Sequence, residues 1–300
     1  MGSDGGGSIR VPAHFSGICG LKPTPGRIPS TGHFPPSLGP FARLGVVGPM
    51  ARTVADVKVL FETMQGPEDG DACSAPVPIR WPALRELKGL RIGYFEDDGR
   101  TPVTAETRVA VRTAAEALAR AGFEVQPFRP DGLEQVWYLW WQLFRLAGRM
   151  LLDPMTKGRE DELSPILKQF SSWASAERPH TATTLLETWM MRDSLRAKVF
   201  AQMQSFPVLL CPVAAIPAFR HGERSWKIDG TTEYLDAWSY TAWFNLLGTP
   251  AVAVPVSLSG EGLPIAVQIS ARPWQEEAVL AIAEVVEKEC GGWNPPPIEA

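Results

Sequence analysis

The chain has 300 residues, 45% hydrophobic and 21% charged, an ordinary globular composition with enough apolar material for a large core. A formal net charge of -4 carries no overall basic field, which disfavours broad nucleic-acid binding. No uncharged apolar run is long enough to cross a membrane, and no basic stretch followed by an apolar core marks a secretory signal.

The cysteines, Cys19, Cys73, Cys211 and Cys290, are far apart with no Cys-x-x-Cys spacing, so neither a zinc site nor a redox pair is expected and a reducing cytoplasm is the default location. His14, His33, His180 and His221 are equally scattered and read as surface or packing residues. No metal is expected.

In chain order, residues 1 to 10 read MGSDGGGSIR, which resembles a linker. Residues 11 to 50 are rich in Gly and Pro, which forbids a long helix. Phe15, Ile18, Leu21, Ile28, Phe34, Leu38, Phe41 and Leu44 are interleaved through them, so the segment reads as ordered loops wrapped on a core. The first clear helix begins after Thr53, with Asp56 completing a capping box and Val57, Leu60, Phe61 and Met64 on its buried face. A polar loop follows Gly66-Pro67. Residues 90 to 95, 104 to 121 and 123 to 128 read as strand, helix and strand, the signature of a parallel pair in an α/β sheet.

Residues 133 to 152 read as a helix with Trp137, Trp140, Trp141, Phe144 and Gly148 on one face. That face is either core packing or an aromatic wall over a substrate pocket, and both readings stand. Another long helix spans 182 to 204, then VLLC (208 to 211) reads as a short buried strand and 213 to 235 as a polar, Trp-bearing loop. The chain closes with a helix (WSYTAWFNLLG), two strands joined by a Ser259-Gly260-Glu261-Gly262 turn, a helix (QEEAVLAIAEVVEKE) and a tail.

SDGGGSIR also has a chemical reading. Consecutive glycines let the backbone turn tightly and aim several N–H groups into one concavity, with a serine hydroxyl at the end of the run. The sequence from Gly2 to Pro12 and from Gly17 to Thr24 (GSDGGGSIRVP and GICGLKPT) resembles the core motif of the amidase signature family. Further likenesses follow in order at 48 to 53, 87 to 99, 244 to 256 and 262 to 283, so the resemblance covers nearly the whole chain and is weakest between about 130 and 240.

The resemblance implies an α/β fold with a central, mixed β-sheet flanked by helices. It implies a single domain over 1–300, in which 130–240 is a variable helical region on the substrate side. It implies hydrolysis of an amide C–N bond through an acyl-enzyme, with Ser8 as nucleophile and the N–H groups of Gly5, Gly6, Gly7 and Ser8 as the oxyanion hole. Asp4 and Arg10 flank the loop and are expected to brace it as a charged pair, and Trp137, Trp140 and Trp141 are the candidate pocket wall. No cofactor is implied. The expected partner is a small-molecule amide, with a homodimer admitted and neither nucleic acid nor membrane expected.

Family members also use a bridging serine, in a Gly-Ser-Ser-Gly-Gly segment before this motif, and a lysine further upstream. No segment of this sequence matches either, and Lys22 lies downstream in GLKPT, the wrong place for that lysine. The chain is therefore expected to be a C-terminal portion, truncated at its N-terminus and inactive alone. Two other readings stay open: the glutaminase-type subunit of a tRNA-dependent amidotransferase, and a decayed, non-catalytic relative.

Overall fold

Order begins earlier than the Gly- and Pro-rich composition of the first fifty residues suggests. The computed structural model describes residues 1–176 and 181–296, so His180 and the last residues of the tail lie outside it. A short strand, β1 (Gly2–Asp4), leads through the glycine loop into a seven-residue helix, α1 (Arg10–Ser16), which ends on a left-handed Gly17 with φ 63°. β2 (Cys19–Lys22) then enters the main sheet, buried along its whole length. Loops cover residues 23 to 45 apart from one 3-10 turn, before β3 (Val46–Gly48) and β4 (Met50–Ala51). β1 pairs with β3, outside the main sheet.

The next helix, α2 (Val54–Met64), starts where its cap demands: Thr53 Oγ1 accepts from the Asp56 N–H at 3.1 Å. Val57 and Phe61 are buried, but Leu60, expected on the same face, is 38% exposed. After the short α3 (Leu84–Leu87) come β5 (Arg91–Tyr94), α4 (Ala105–Arg120) and β6 (Glu124–Pro127), with β5 and β6 parallel as the alternation implies. α5 (Val136–Thr156), α6 (Pro165–Ala176) and α7 (Ala182–Gln202) form a helical section that leads to β7 (Val208–Pro212). The segment read as a loop contains a small hairpin, β8 (Ser225–Lys227) and β9 (Thr231–Glu233). α8 (Ser239–Leu247), β10 (Ala251–Leu258), β11 (Pro264–Ala271) and α9 (Glu276–Cys290) complete the chain.

The main sheet has seven strands in the order β4-β2-β10-β11-β7-β5-β6. β5 runs parallel to both β6 and β7, and the remaining pairs are antiparallel, which makes the sheet mixed. Its strands alternate between two packed faces. Val208, Leu210, Val252, Val254, Val267 and Ile269 point to a layer made by α2, α4 and α9. Leu209, Cys211 and Ala251 point instead to α5, α7 and α8. On that second face α1 lies close against β10 and β11, and the contact is made of small residues, Ala13 against Ala253 and Ala266.

His14 fixes α1 in this position. It is fully buried; its Nδ1 accepts from the Ala266 N–H at 2.8 Å, which leaves Nε2 to donate to the Ile216 carbonyl at 2.9 Å. Burial pushes its pKa down to about 4, so the folded protein holds it neutral while the unfolded chain takes up a proton near 6.5. Stability is therefore full above pH 6.5 and falls as the pH drops from 6.5 toward 4. In His14→Gln the buried N–H and carbonyl lose a partner, at a cost of about 2 kcal/mol near neutral pH. Urea unfolding at several pH values is expected to show that gap narrowing as the pH approaches 4, because only the wild type carries the protonation penalty.

Candidate active site

The glycine loop is held by its carbonyl oxygens. Asp4 O accepts from Asn245 Nδ2 at 2.9 Å and Gly5 O from Trp140 Nε1 at 2.8 Å. Gly6 O lies 2.6 Å from the Thr241 hydroxyl, which also reaches the Trp238 carbonyl at 2.7 Å, and Gly7 O accepts from the Val11 N–H at 2.7 Å. In a planar trans peptide the N–H points opposite to the preceding carbonyl, so anchoring four carbonyls also aims the next four N–H groups. One of these, Gly7 N–H, donates to Asp4 Oδ1 at 2.7 Å. Among the described residues nothing accepts from the N–H groups of Gly5, Gly6 or Ser8, and Ser8 is exposed. The motif alone counts Gly7 as a fourth open donor; the structure commits that hydrogen to Asp4.

Each glycine has a steric reason. Gly7 has φ 125°, a left-handed conformation that L side chains rarely adopt. A Cβ on Gly6 would run into the Trp140 ring, and one on Gly5 into the Phe144 ring.

Beneath the loop lies a buried ionic network. Arg10 and Asp4 are both buried, with Arg10 Nε 3.0 Å and Nη2 3.1 Å from the two carboxylate oxygens. The other guanidinium bonds go to Gln268 Oε1 at 2.9 Å, Thr241 O at 3.0 Å and Asn245 Oδ1 at 2.6 Å. Asp4 Oδ2 also takes the Ile9 N–H at 3.2 Å, at the start of α1. Burial alone would raise the Asp4 pKa; the Arg10 charge and hydrogen bonds, the nearby Lys22 and the Gly7 N–H outweigh it and hold the carboxyl down at about 2. Lys22 is itself buried, with Nζ donating to Pro23 O at 2.9 Å, and burial together with repulsion from Arg10 brings it down to about 7. Among the described residues no hydrogen bond joins it to Ser8.

Of the three tryptophans read as a pocket wall, Trp140 meets the loop, its ring against Gly6 and its Nε1 on the Gly5 carbonyl. Phe144 stacks on it, ring centroids 4.7 Å apart, and meets Gly5. Trp137 stacks behind Trp140 at 5.1 Å, and Trp141 packs against Phe170 at 5.6 Å. Sequence reasoning assigns no role to Asn245 or Gln268 and does not single out Thr241, yet these three complete the loop's support. Their signal is a polar residue inside an otherwise apolar helix or strand. Among the described residues no group of His, Cys, Asp and Glu is placed to hold a metal ion, and no helix is long and apolar enough to cross a membrane.

The fold agrees with comparisons to known proteins. The amidase family model matches residues 1–280, and the chain belongs to the amidase signature family. It is 32% identical to a glutamyl-tRNA(Gln) amidotransferase subunit of Synechococcus sp. (strain RCC307), over 96% of this chain and 63% of that protein. It is 28% identical to the indoleacetamide hydrolase of Bradyrhizobium diazoefficiens, over 97% of this chain and 55% of that protein. Among solved structures, a 6-aminohexanoate cyclic dimer hydrolase superposes with TM-score 0.80 at 25% identity, over 96% of this chain and 64% of that one. The chain thus spans less than two thirds of the length of these relatives.

The ion pair gives a direct test of the loop's support. Asp4→Asn removes the charge that balances a guanidinium with no access to water, and is expected to destabilise the fold by about 3–5 kcal/mol in urea unfolding. Asp4→Asn combined with Arg10→Met should cost less than the sum of the two single changes, since the pair is then removed together.

Proposed function

We propose that this chain carries the acyl-transfer part of an amide-hydrolysing site, with Ser8 as the nucleophile. The observation that carries this reading is the anchored loop: fixed carbonyls, open N–H groups on Gly5, Gly6 and Ser8, and an exposed serine hydroxyl at its end. In the proposed reaction Ser8 Oγ attacks the amide carbonyl carbon and loses its proton. The carbonyl oxygen becomes an oxyanion held by those N–H groups, each such donor lowering the barrier by about 3 kcal/mol. Collapse breaks the C–N bond, the amine leaves with a proton, and water then releases the acyl group from Ser8. Gly7 shapes the turn and braces Asp4 instead of holding the oxyanion.

The acyl group is proposed to be apolar or aromatic. Trp140 and Phe144 form the wall beside the loop, and the likeness to an indoleacetamide hydrolase supports an aromatic substrate. The likeness to one chain of an amidotransferase supports a second reading, in which this chain works within a larger assembly; a fixed partner on purification would favour it. Proton transfer from Ser8 needs a base, and among the described residues none hydrogen-bonds its hydroxyl. The chain alone is therefore proposed to turn over amides poorly, and to react only slowly with strong electrophiles that carry a good leaving group, solvent taking the Ser8 proton.

Treatment of the 300-residue chain with a fluorophosphonate, followed by peptide mass mapping, is expected to place a single adduct on Ser8. Ser8→Ala should take none, and Gly6→Ala, whose methyl displaces Trp140, should label far more slowly. Equal labelling of Ser8→Ala would overturn the assignment. Turnover of simple amides by the chain, abolished in Ser8→Ala, would overturn the claim that it acts poorly alone.

A further inference from the structure

Three arginines line a cavity of about 600 Å3 at the C-terminal end of α8, the end opposite the Thr241 turn that holds the glycine loop. Arg192 and Arg196 lie on α7 and Arg43 on the loop before β3. Arg192 Nε donates to Leu246 O and Arg196 Nε to Leu247 O, both at 2.8 Å. These bonds satisfy two of the carbonyls left over at the helix end. They use one nitrogen from each guanidinium.

The remaining donors are under-matched. Arg192 Nη1 reaches Asp193 Oδ1 at 2.7 Å, but that carboxylate is 68% exposed while the Arg192 side chain is 11% exposed. Among the described residues nothing accepts from the Nη groups of Arg196 or from the Arg43 guanidinium. Three guanidiniums thus share one carboxylate as their counter-charge on the cavity wall. Burial, with repulsion between these neighbours, presses the pKa values of Arg192 and Arg196 below the ordinary guanidinium value.

Two tryptophans, Trp189 and Trp274, also line the cavity, among prolines and small residues. Trp189 lies under Arg192, whose Cζ is 5.2 Å from the ring centroid. Trp274 takes a positive φ of 68°, rare for a bulky residue, and its N–H is fixed to Thr24 Oγ1 at 2.9 Å. Planar cationic forks beside flat apolar rings suit a ligand that has an oxyanion at one end and an apolar body at the other.

We infer that this cavity binds an oxyanion group, a phosphoryl or a carboxylate, on a small ligand whose apolar body rests against Trp189 and Trp274. The inference is independent of the role given to Ser8. Isothermal titration of the whole chain with inorganic phosphate, and separately with benzoate, tests it at constant ionic strength set with sodium chloride. Saturable binding of either probe is expected: phosphate alone points to a phosphoryl ligand, benzoate alone to a carboxylate. Arg43→Gln, which breaks no bond in the fold, should weaken binding roughly tenfold or more and leave the unfolding midpoint unchanged. Arg196→Gln should weaken it similarly. The inference is overturned if neither probe gives heat beyond the chloride control, or if both variants bind as tightly as the wild type.

Discussion

A guanidinium sealed from water sets the geometry around the glycine loop. Arg10 is fully buried, so its donors must find acceptors inside the protein. It finds them on three elements far apart in sequence: Asp4 at the end of β1, Thr241 and Asn245 on α8, and Gln268 on β11. A buried ion pair of this kind is weak evidence for net stability, and an arrangement that separated the two groups would strand a charge. Asp4 then passes that constraint to the loop by taking the Gly7 and Ile9 N–H groups.

α8 is the strut through which this constraint spreads. Its third residue, Thr241, holds the loop at Gly6, and its seventh, Asn245, holds both Asp4 and the Leu44 carbonyl. Its far end is closed by Arg192 and Arg196. The same short helix therefore joins the proposed nucleophile loop to the cationic cavity, and α5 lies across it with Trp140 reaching Gly5.

Local signals in the sequence are readable where local physics decides the outcome. Thr53 and Asp56 mark a helix start, the apolar stripe of residues 105 to 120 marks a buried face, and SDGGGSIR marks a loop with a serine at its end. α1 is not legible, because seven residues containing a proline and ended by a glycine carry no periodicity. β2 escapes for a related reason: CGLK has no strand alternation and is a strand only because β10 and β4 flank it. Trp137, Trp140 and Trp141 share a face, but only the rotation of α5 in the packed protein decides that Trp140 and Phe144 meet the loop. The Asp4 bond to Gly7 does not follow from composition, since a glycine run shows how many N–H groups exist and not where each one goes.

The carbonyls of Asp4, Gly5, Gly6 and Gly7 are anchored and the Gly7 N–H is held by Asp4, and the N–H groups of Gly5, Gly6 and Ser8 are the ones proposed to receive an oxyanion. The most direct measurement is a crystal structure of the chain carrying a boronic acid bonded to Ser8 Oγ. The account predicts a boronate oxygen about 2.7–3.1 Å from those three nitrogens, with the Gly7–Asp4 bond intact. A boronate oxygen held by Gly7 N–H released from Asp4, or turned away from the loop altogether, would contradict it.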